Sequence, residues 1–209
     1  LTMSSYQFDD GHGIFGMEKV NDVLYLAKGS NGPSEGVFIS MDITDKSNPT
    51  ILQTLIIPGG QCRGVAVKDQ YAYVATFDGL KIVDITDPSN MENISSIVGS
   101  YCAISIENNS ACMGKMNGGV DIFDISDPTS PSPLLAIPNT DGNAYAVYLI
   151  NNYLYLAQEL GGIYIYQIDG SNYTLIDNYY EVYGQTFDIG VSDSIFAVPG
   201  LIEGVSILA

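Results

Sequence analysis

The sequence predicts an all-β chain assembled from one repeated four-stranded antiparallel unit. Three observations carry that expectation. A short element returns at nearly constant spacing along the 209 residues. A strand–turn–strand pattern returns at the same spacing. No run shows helical periodicity.

The first element reads Gly79-Leu80-Lys81-Ile82-Val83-Asp84-Ile85-Thr86-Asp87-Pro88 and recurs as Gly119-Val120-Asp121-Ile122-Phe123-Asp124-Ile125-Ser126-Asp127-Pro128. A weaker copy is Gly162-Ile163-Tyr164-Ile165-Tyr166-Gln167-Ile168-Asp169. An earlier one, with one extra residue, runs from Gly36 to Asp45, and a last one, Gly204 to Ala209, stops at the C-terminus. The closing isoleucines Ile43, Ile85, Ile125 and Ile168 give steps of 42, 40 and 43 residues. The second element is Val65-Ala66-Val67-Lys68-Asp69-Gln70-Tyr71-Ala72-Tyr73-Val74-Ala75. Its partners are Met17 to Ala27, Ile104 to Gly114, Val147 to Ala157 and Ile189 to Pro199. Each has two alternating runs around a polar pair or triplet, which is a hairpin; Asn108-Asn109 and Asn151-Asn152 suit its turn because Asn tolerates the left-handed conformation.

Each unit therefore holds strand a (Val65–Val67 and its equivalents), strand b (Tyr71–Ala75), strand c (Leu80–Ile85) and strand d. The last is the run near Ile51–Ile57, Ile94–Val98, Leu134–Ile137 or Leu175–Tyr180. Four strands at a period of ~40–45 residues is the blade of a β-propeller. The expected architecture is a single domain over 1–209, a five-bladed β-propeller of four-stranded antiparallel blades. The blade units are about 13–59, 60–98, 99–141, 142–183 and 184–209 plus 1–12. The last blade stops after strand c, so the N-terminal segment Leu1–Phe8 is expected to complete it and close the ring, leaving few free edges. A fragment of a larger propeller is the alternative.

Tyr-Ala-Tyr-Val-Ala at 71–75 followed by Gly-Leu-Lys-Ile-Val-Asp-Ile-Thr-Asp-Pro at 79–88 resembles the LVIVD-repeat β-propellers. The resemblance is strong over residues 64–131 and weaker in the flanking blades. It implies a propeller in a secreted or surface-attached microbial protein, and carries over no active site. Blade four departs from the pattern: Gln167 replaces the repeat Asp and Gly170 follows Asp169 where Pro is expected, so a different turn is expected there.

Composition narrows the function. With 7 Lys+Arg against 24 Asp+Glu, a formal charge of −17 disfavours nucleic acid and anionic membranes, whose phosphates call for cations. Hydrophobic residues at 46% are enough for a real core. No apolar run approaches the ~18–20 residues of a membrane helix, so no membrane insertion is expected. No secretory leader is read in the opening residues; a chain opening on Leu1 is expected to be a processed form or a fragment.

Most motifs that look chemical have structural readings. Asp42, Asp84 and Asp124 could form a ring of metal ligands. One per blade sets them too far apart for one ion, and Asp with Ser/Thr ordinarily satisfies turn amides. Gly11-His12-Gly13-Ile14-Phe15-Gly16 matches a dinucleotide fingerprint but lacks the preceding strand and following helix. Gly32-Pro33-Ser34-Glu35-Gly36 matches a nucleophile elbow, yet the one histidine, His12, precedes it and no helix follows. No metal and no cofactor is expected. Cys62 and Cys102, near the starts of neighbouring inner strands, could form a disulfide; buried free thiols, Cys112 included, are the other reading. Asn93, Asn108 and Asn172 head glycosylation sequons, all in or beside a–b or c–d turns and so on one face.

The opposite face gathers the d–a and b–c loops around the central opening, where propellers usually bind ligands. Its candidate binding residues are His12, Arg63, Tyr101, Tyr145, Phe187 and Asp188, with Gln61, Lys115, Asn143 and Gln185 alongside. The expected function is a non-catalytic extracellular or cell-surface module for protein or glycan binding, adhesion or structural assembly. Its partners would be proteins or glycans at a surface, or further copies of itself. The alternative is a glycan-active hydrolase, with an acid and a base drawn from Asp78, Glu159, Asp188 and Glu203. A lectin with one pocket per blade is a weaker third reading, because the b–c loops differ in length and type.

Overall fold

The structure is a computed structural model that describes residues 6–8, 11–29, 35–138, 142–179, 190–192, 195–200 and 204–208, with side chains as far as Tyr179. The described residues are all-β, without a helix. They form four four-stranded sheets and one three-stranded sheet, each with its strands adjacent in chain order. The chain divides into two compact units, Leu1–Ser100 and Tyr101–Ala209.

The first unit holds two sheets. One is β1 (Ile14–Val20), β2 (Val23–Lys28), β3 (Glu35–Asp42) and β4 (Thr50–Pro58); the other is β5 (Cys62–Lys68), β6 (Tyr71–Thr76), β7 (Gly79–Asp84) and β8 (Glu92–Val98). Successive side chains of a strand point to opposite faces. Tyr25, Ala27 and Phe38 thereby meet Val65, Val74 and Val83 of the second sheet in one core. Leu26, Ile39 and Met41 form a second cluster on the other face of the first sheet. Burial on both faces explains why the middle strands are nearly continuous apolar runs, and each fully buried large side chain is worth about 1.5–3 kcal/mol.

The inner strands β1 and β5 approach closely. A Cβ on Gly16 would lie 2.9 Å from the Cα of Gly64, so that approach needs glycine. Farther out, Gln53 of β4 acts on the second sheet as a backbone group would. Its Nε2 donates to Met91 O at 3.2 Å, and its Oε1 accepts the Met91 N–H.

The second unit repeats the plan with β9 (Tyr101–Glu107), β10 (Ser110–Lys115), β11 (Val120–Asp124) and β12 (Ser132–Ile137), then β13 (Ala144–Ile150), β14 (Tyr153–Gln158), β15 (Gly162–Asp169) and β16 (Asn172–Tyr179). Cys112, Ile122 and Ile137 from one sheet pack with Val147, Leu154, Leu156 and Tyr164 from the next. The same sheets are tied by hydrogen bonds: Leu149 N–H donates to Ser105 Oγ at 3.1 Å and Asn151 N–H to Glu107 Oε1 at 2.5 Å. The three-stranded sheet is β17 (Gly190–Ser192), β18 (Ile195–Gly200) and β19 (Gly204–Leu208), the strand set expected of the last repeat. Of the segment expected to complete it, Leu1–Ser5 lie outside the described residues. Tyr6–Phe8 are not in a strand, and Phe8 packs against the Leu26–Ile39–Met41 cluster.

The repeated aspartates are turn caps. Asp42, Asp84 and Asp124 each accept, through Oδ1, the N–H two residues on at 2.8 Å. The second aspartate of the motif does the same in the next turn: Asp45, Asp87 and Asp127 accept from Ser47, Ser89 and Thr129 at 2.8–2.9 Å. The departure in the fourth repeat has the expected effect. There β15 runs on to Asp169, pairs it with Asn172, and turns tightly on Gly170 at φ +60°.

Candidate functional site

One feature of the sheets is invisible in the sequence. In the four four-stranded sheets the inner hairpin slips register near the entrance to its first strand. The slip falls between Ile14 and Gly16, between Cys62 and Gly64, and between Ala144 and Ala146. In the third sheet, Lys115 pairs with Tyr101 and Gly114 with Ala103. The extra residue at these β-bulges is Phe15, Arg63, Tyr145 and Cys102 respectively. A bulge re-aims a side chain at a strand end, and bulges concentrate beside functional sites.

In the first unit the bulges bring Phe15 and Arg63 together. The Arg63 guanidinium carbon lies 4.0 Å from the centroid of the Phe15 ring and 5.0 Å from that of Phe77. Gly29 leaves room for the first ring, since a Cβ there would lie 3.0 Å from Phe15 Cε2. The short turn between β6 and β7 holds the second. Phe77 N–H donates to Gln61 O at 3.3 Å, Thr76 Oγ1 donates to Gly79 O at 2.9 Å, and Asp78 N–H donates to Thr76 Oγ1 at 3.2 Å.

Asp78, the carboxylate of that turn, accepts through Oδ2 from the largely buried Lys81 ammonium at 3.3 Å. Arg63 is the one arginine in a chain with 24 acidic residues. Among the described residues, no carboxylate or other acceptor partners its guanidinium. Aromatic faces hold the plane of such a group and leave its edge donors for a ligand.

The second unit places its candidates differently. Tyr101 is 2% exposed and its hydroxyl donates to Asp121 Oδ2 at 2.9 Å, while Lys115 donates to Asp121 Oδ1 at 3.1 Å. Burial first, and Asp121 second, push the Tyr101 phenol well up. The Tyr101 hydroxyl and ring are thus engaged within their own sheet, the ring edge-on to Phe123. Tyr145 is half-buried and joins a network: Asn143 Nδ2 donates to Tyr145 Oη at 3.1 Å and to Glu159 Oε2 at 2.8 Å, and Asn143 Oδ1 accepts Asn117 N–H at 3.0 Å. His12 is half-buried in the segment entering β1. Phe187, Asp188, Gln185 and Glu203 lie outside the described residues. Phe15 and Phe77, the two rings that define the arginine's setting, were not among the sequence candidates. Their signal is the bulge and the short turn, neither of which has a motif.

Of the two cysteine readings the structure shows the second: there is no Cys62–Cys102 disulfide, and Cys62, Cys102 and Cys112 are buried thiols. Cys62 packs in the first unit's core, and the Cys102 thiol donates to Ala144 O at 3.0 Å. Burial pushes the Cys62 thiol up to about 12 and raises that of Cys112 as well. Asn93, Asn108 and Asn172 are exposed; Asn108 lies in the β9–β10 turn at φ +52°. In the orientation that satisfies both its groups, the Asn93 amide donates to Ile82 O at 3.1 Å and Ser95 O at 3.2 Å. No cluster among the described residues could hold a metal ion.

The LVIVD repeat family model matches residues 59–98 and 98–135. The chain carries LVIVD repeats. The repeats so matched span β5 to β8 and most of β9 to β12, so each is one four-stranded sheet. Among solved structures, the chain is similar to the WD40 β-propeller domain of Doa1, at TM-score 0.74 and 12% identity over 99% of this chain and 68% of that one. It is also similar to the computationally designed Ika4 protein, at TM-score 0.63 and 13% identity over 81% of this chain and 99% of that one. At these identities the likeness shows the fold, a β-propeller, and nothing further. No curated protein sequence matches.

Proposed function

We propose that this LVIVD-repeat propeller is a non-catalytic binding module of the extracellular space or cell surface. Its binding group would be Arg63, and its partner would present a carboxylate on an acidic sugar or an acidic side chain. One observation carries this reading: the chain's one arginine lies between two phenylalanine rings and has no carboxylate partner among the described residues. A guanidinium offers five planar donors, and a carboxylate is the group that matches them in bidentate fashion. The hydrolase reading has less support, since Asp78 is tied to Lys81 and Glu159 to Asn143.

The same reading takes the five sheets as five blades. Phe8 packs against the Leu26–Ile39–Met41 cluster, so removing residues 1–8 would lower the melting temperature.

The binding test is titration calorimetry with hexagalacturonate and with a hexaglutamate peptide. Saturable binding of either, abolished in Arg63→Ala and not restored in Arg63→Lys, supports the reading. Equal binding by wild type and Arg63→Ala, or none by either protein, rejects it.

A further inference from the structure

The second unit carries a groove on its hairpin-turn end that no part of the arginine site uses. Two cavities meet there. One, of about 270 Å³, has a floor that includes Ile122, Leu149 and Ile168 and a rim that includes Asn108 and Asn152. The other, of about 300 Å³, shares Asn152 and Ile168 and continues to Asn172 and Tyr173. Each is near the lower end of the range for small-molecule pockets.

The rim is built. The β13–β14 turn, with Asn151 at φ +51° and Asn152 at φ +65°, is tied to the neighbouring sheet by the bond from Asn151 N–H to Glu107. It is tied to its own sheet by the bond from Ile168 N–H to Asn152 O at 2.8 Å. Tyr173 is held edge-on by Tyr166, at 5.9 Å between ring centroids, and still is 41% exposed.

We infer that this groove binds a neutral oligosaccharide, spanning Asn108, Asn152 and Asn172 and stacking one sugar on Tyr173. A carboxamide offers two donors and an acceptor, which suits hydroxyls that both give and take hydrogen bonds. The aromatic face and the aliphatic floor suit the C–H face of a pyranose. Charge selects the class. No lysine or arginine lines either cavity, whereas Glu107 and Asp169 do, so an anionic ligand is repelled. A cationic ligand would use acceptors alone and leave the amide donors idle.

The experiment uses the full chain made in a host that adds no glycans, titrated with cellohexaose, maltohexaose, chitohexaose and α-mannohexaose. Saturable binding of at least one is expected. Tyr173→Ala and Asn152→Ala are expected to weaken it about tenfold each. Arg63→Ala should leave it unchanged, which separates this site from the proposed carboxylate site. Circular dichroism and melting temperature check that the variants fold, and Tyr173→Phe should retain binding. Failure of all four sugars to bind, or binding that survives Tyr173→Ala, overturns the inference. So does Tyr173-dependent binding of hexalysine in their place.

Discussion

The guanidinium carbon of Arg63 lies 4.0 Å from the centroid of the Phe15 ring, and both residues are the extra residue of a β-bulge in adjacent inner strands. The ring is 46% exposed, so burial alone does not account for its place. It holds a cation in a fixed plane. Phe15→Ala is therefore expected to weaken carboxylate binding about three- to tenfold. The same variant should scarcely change stability. Calorimetry with hexagalacturonate and hexaglutamate, beside a thermal melt, checks both.

The turn aspartates make the fold sensitive to acid. Hydrogen bonds from Thr44, Thr86 and Ser126 hold the carboxyls of Asp42, Asp84 and Asp124 below the ordinary value of 3.8. A carboxyl lowered in the folded state contributes stability that is complete above its unfolded value and fades as pH falls through its folded value. The chain should therefore lose stability progressively below about pH 4. Asp84→Asn keeps a side-chain acceptor but no titrating group, so its melting temperature should fall less steeply between pH 5 and pH 2. Melts across that range test this.

Native thiols should be inert. Cys62, pushed up to about 12, and Cys112, also raised, hold almost no thiolate at pH 8, and all three cysteines are buried. An aromatic disulfide reagent at pH 8 should label none of them in the folded chain within minutes and all three in guanidinium. Rapid labelling of the folded chain would contradict the packing around them.

Gly79 opens β7 at φ +138°, and a Cβ there would lie 1.9 Å from the carbonyl oxygen of Ile97. Neither the backbone angle nor the space admits alanine. Gly79→Ala is expected to cost about 2–4 kcal/mol, read as a lower urea midpoint. The same turn positions Phe77, so this variant should also weaken carboxylate binding.

Much of the fold was legible because a strand's period of two survives repetition. Five copies of the hairpin pattern placed the strands, and Asp84-Ile85-Thr86 announced its turn through chemistry confined to three residues. Gln167 and Gly170 likewise announced the different turn after β15. The arginine site was half legible. Arg63 was read as a candidate from its place in a d–a loop. Phe15 was not, because the bulge that aims it arises from pairing between strands, and no local motif records pairing. The Tyr101 hydrogen bond was hidden for the same reason: its partner Asp121 lies across the sheet, 20 residues away in sequence. The groove through Asn152 was illegible, since its walls come from turns of two different sheets.

The most direct measurement follows the Nε–H signal of Arg63 by NMR, which is unambiguous because the chain has one arginine. Hexagalacturonate or hexaglutamate is titrated into the ¹⁵N-labelled protein. If the guanidinium is the carboxylate-binding group, that signal shifts downfield and saturates with the same midpoint as the calorimetric binding. A signal that stays in place while a carboxylate ligand binds, or through both titrations with no binding at all, would contradict it.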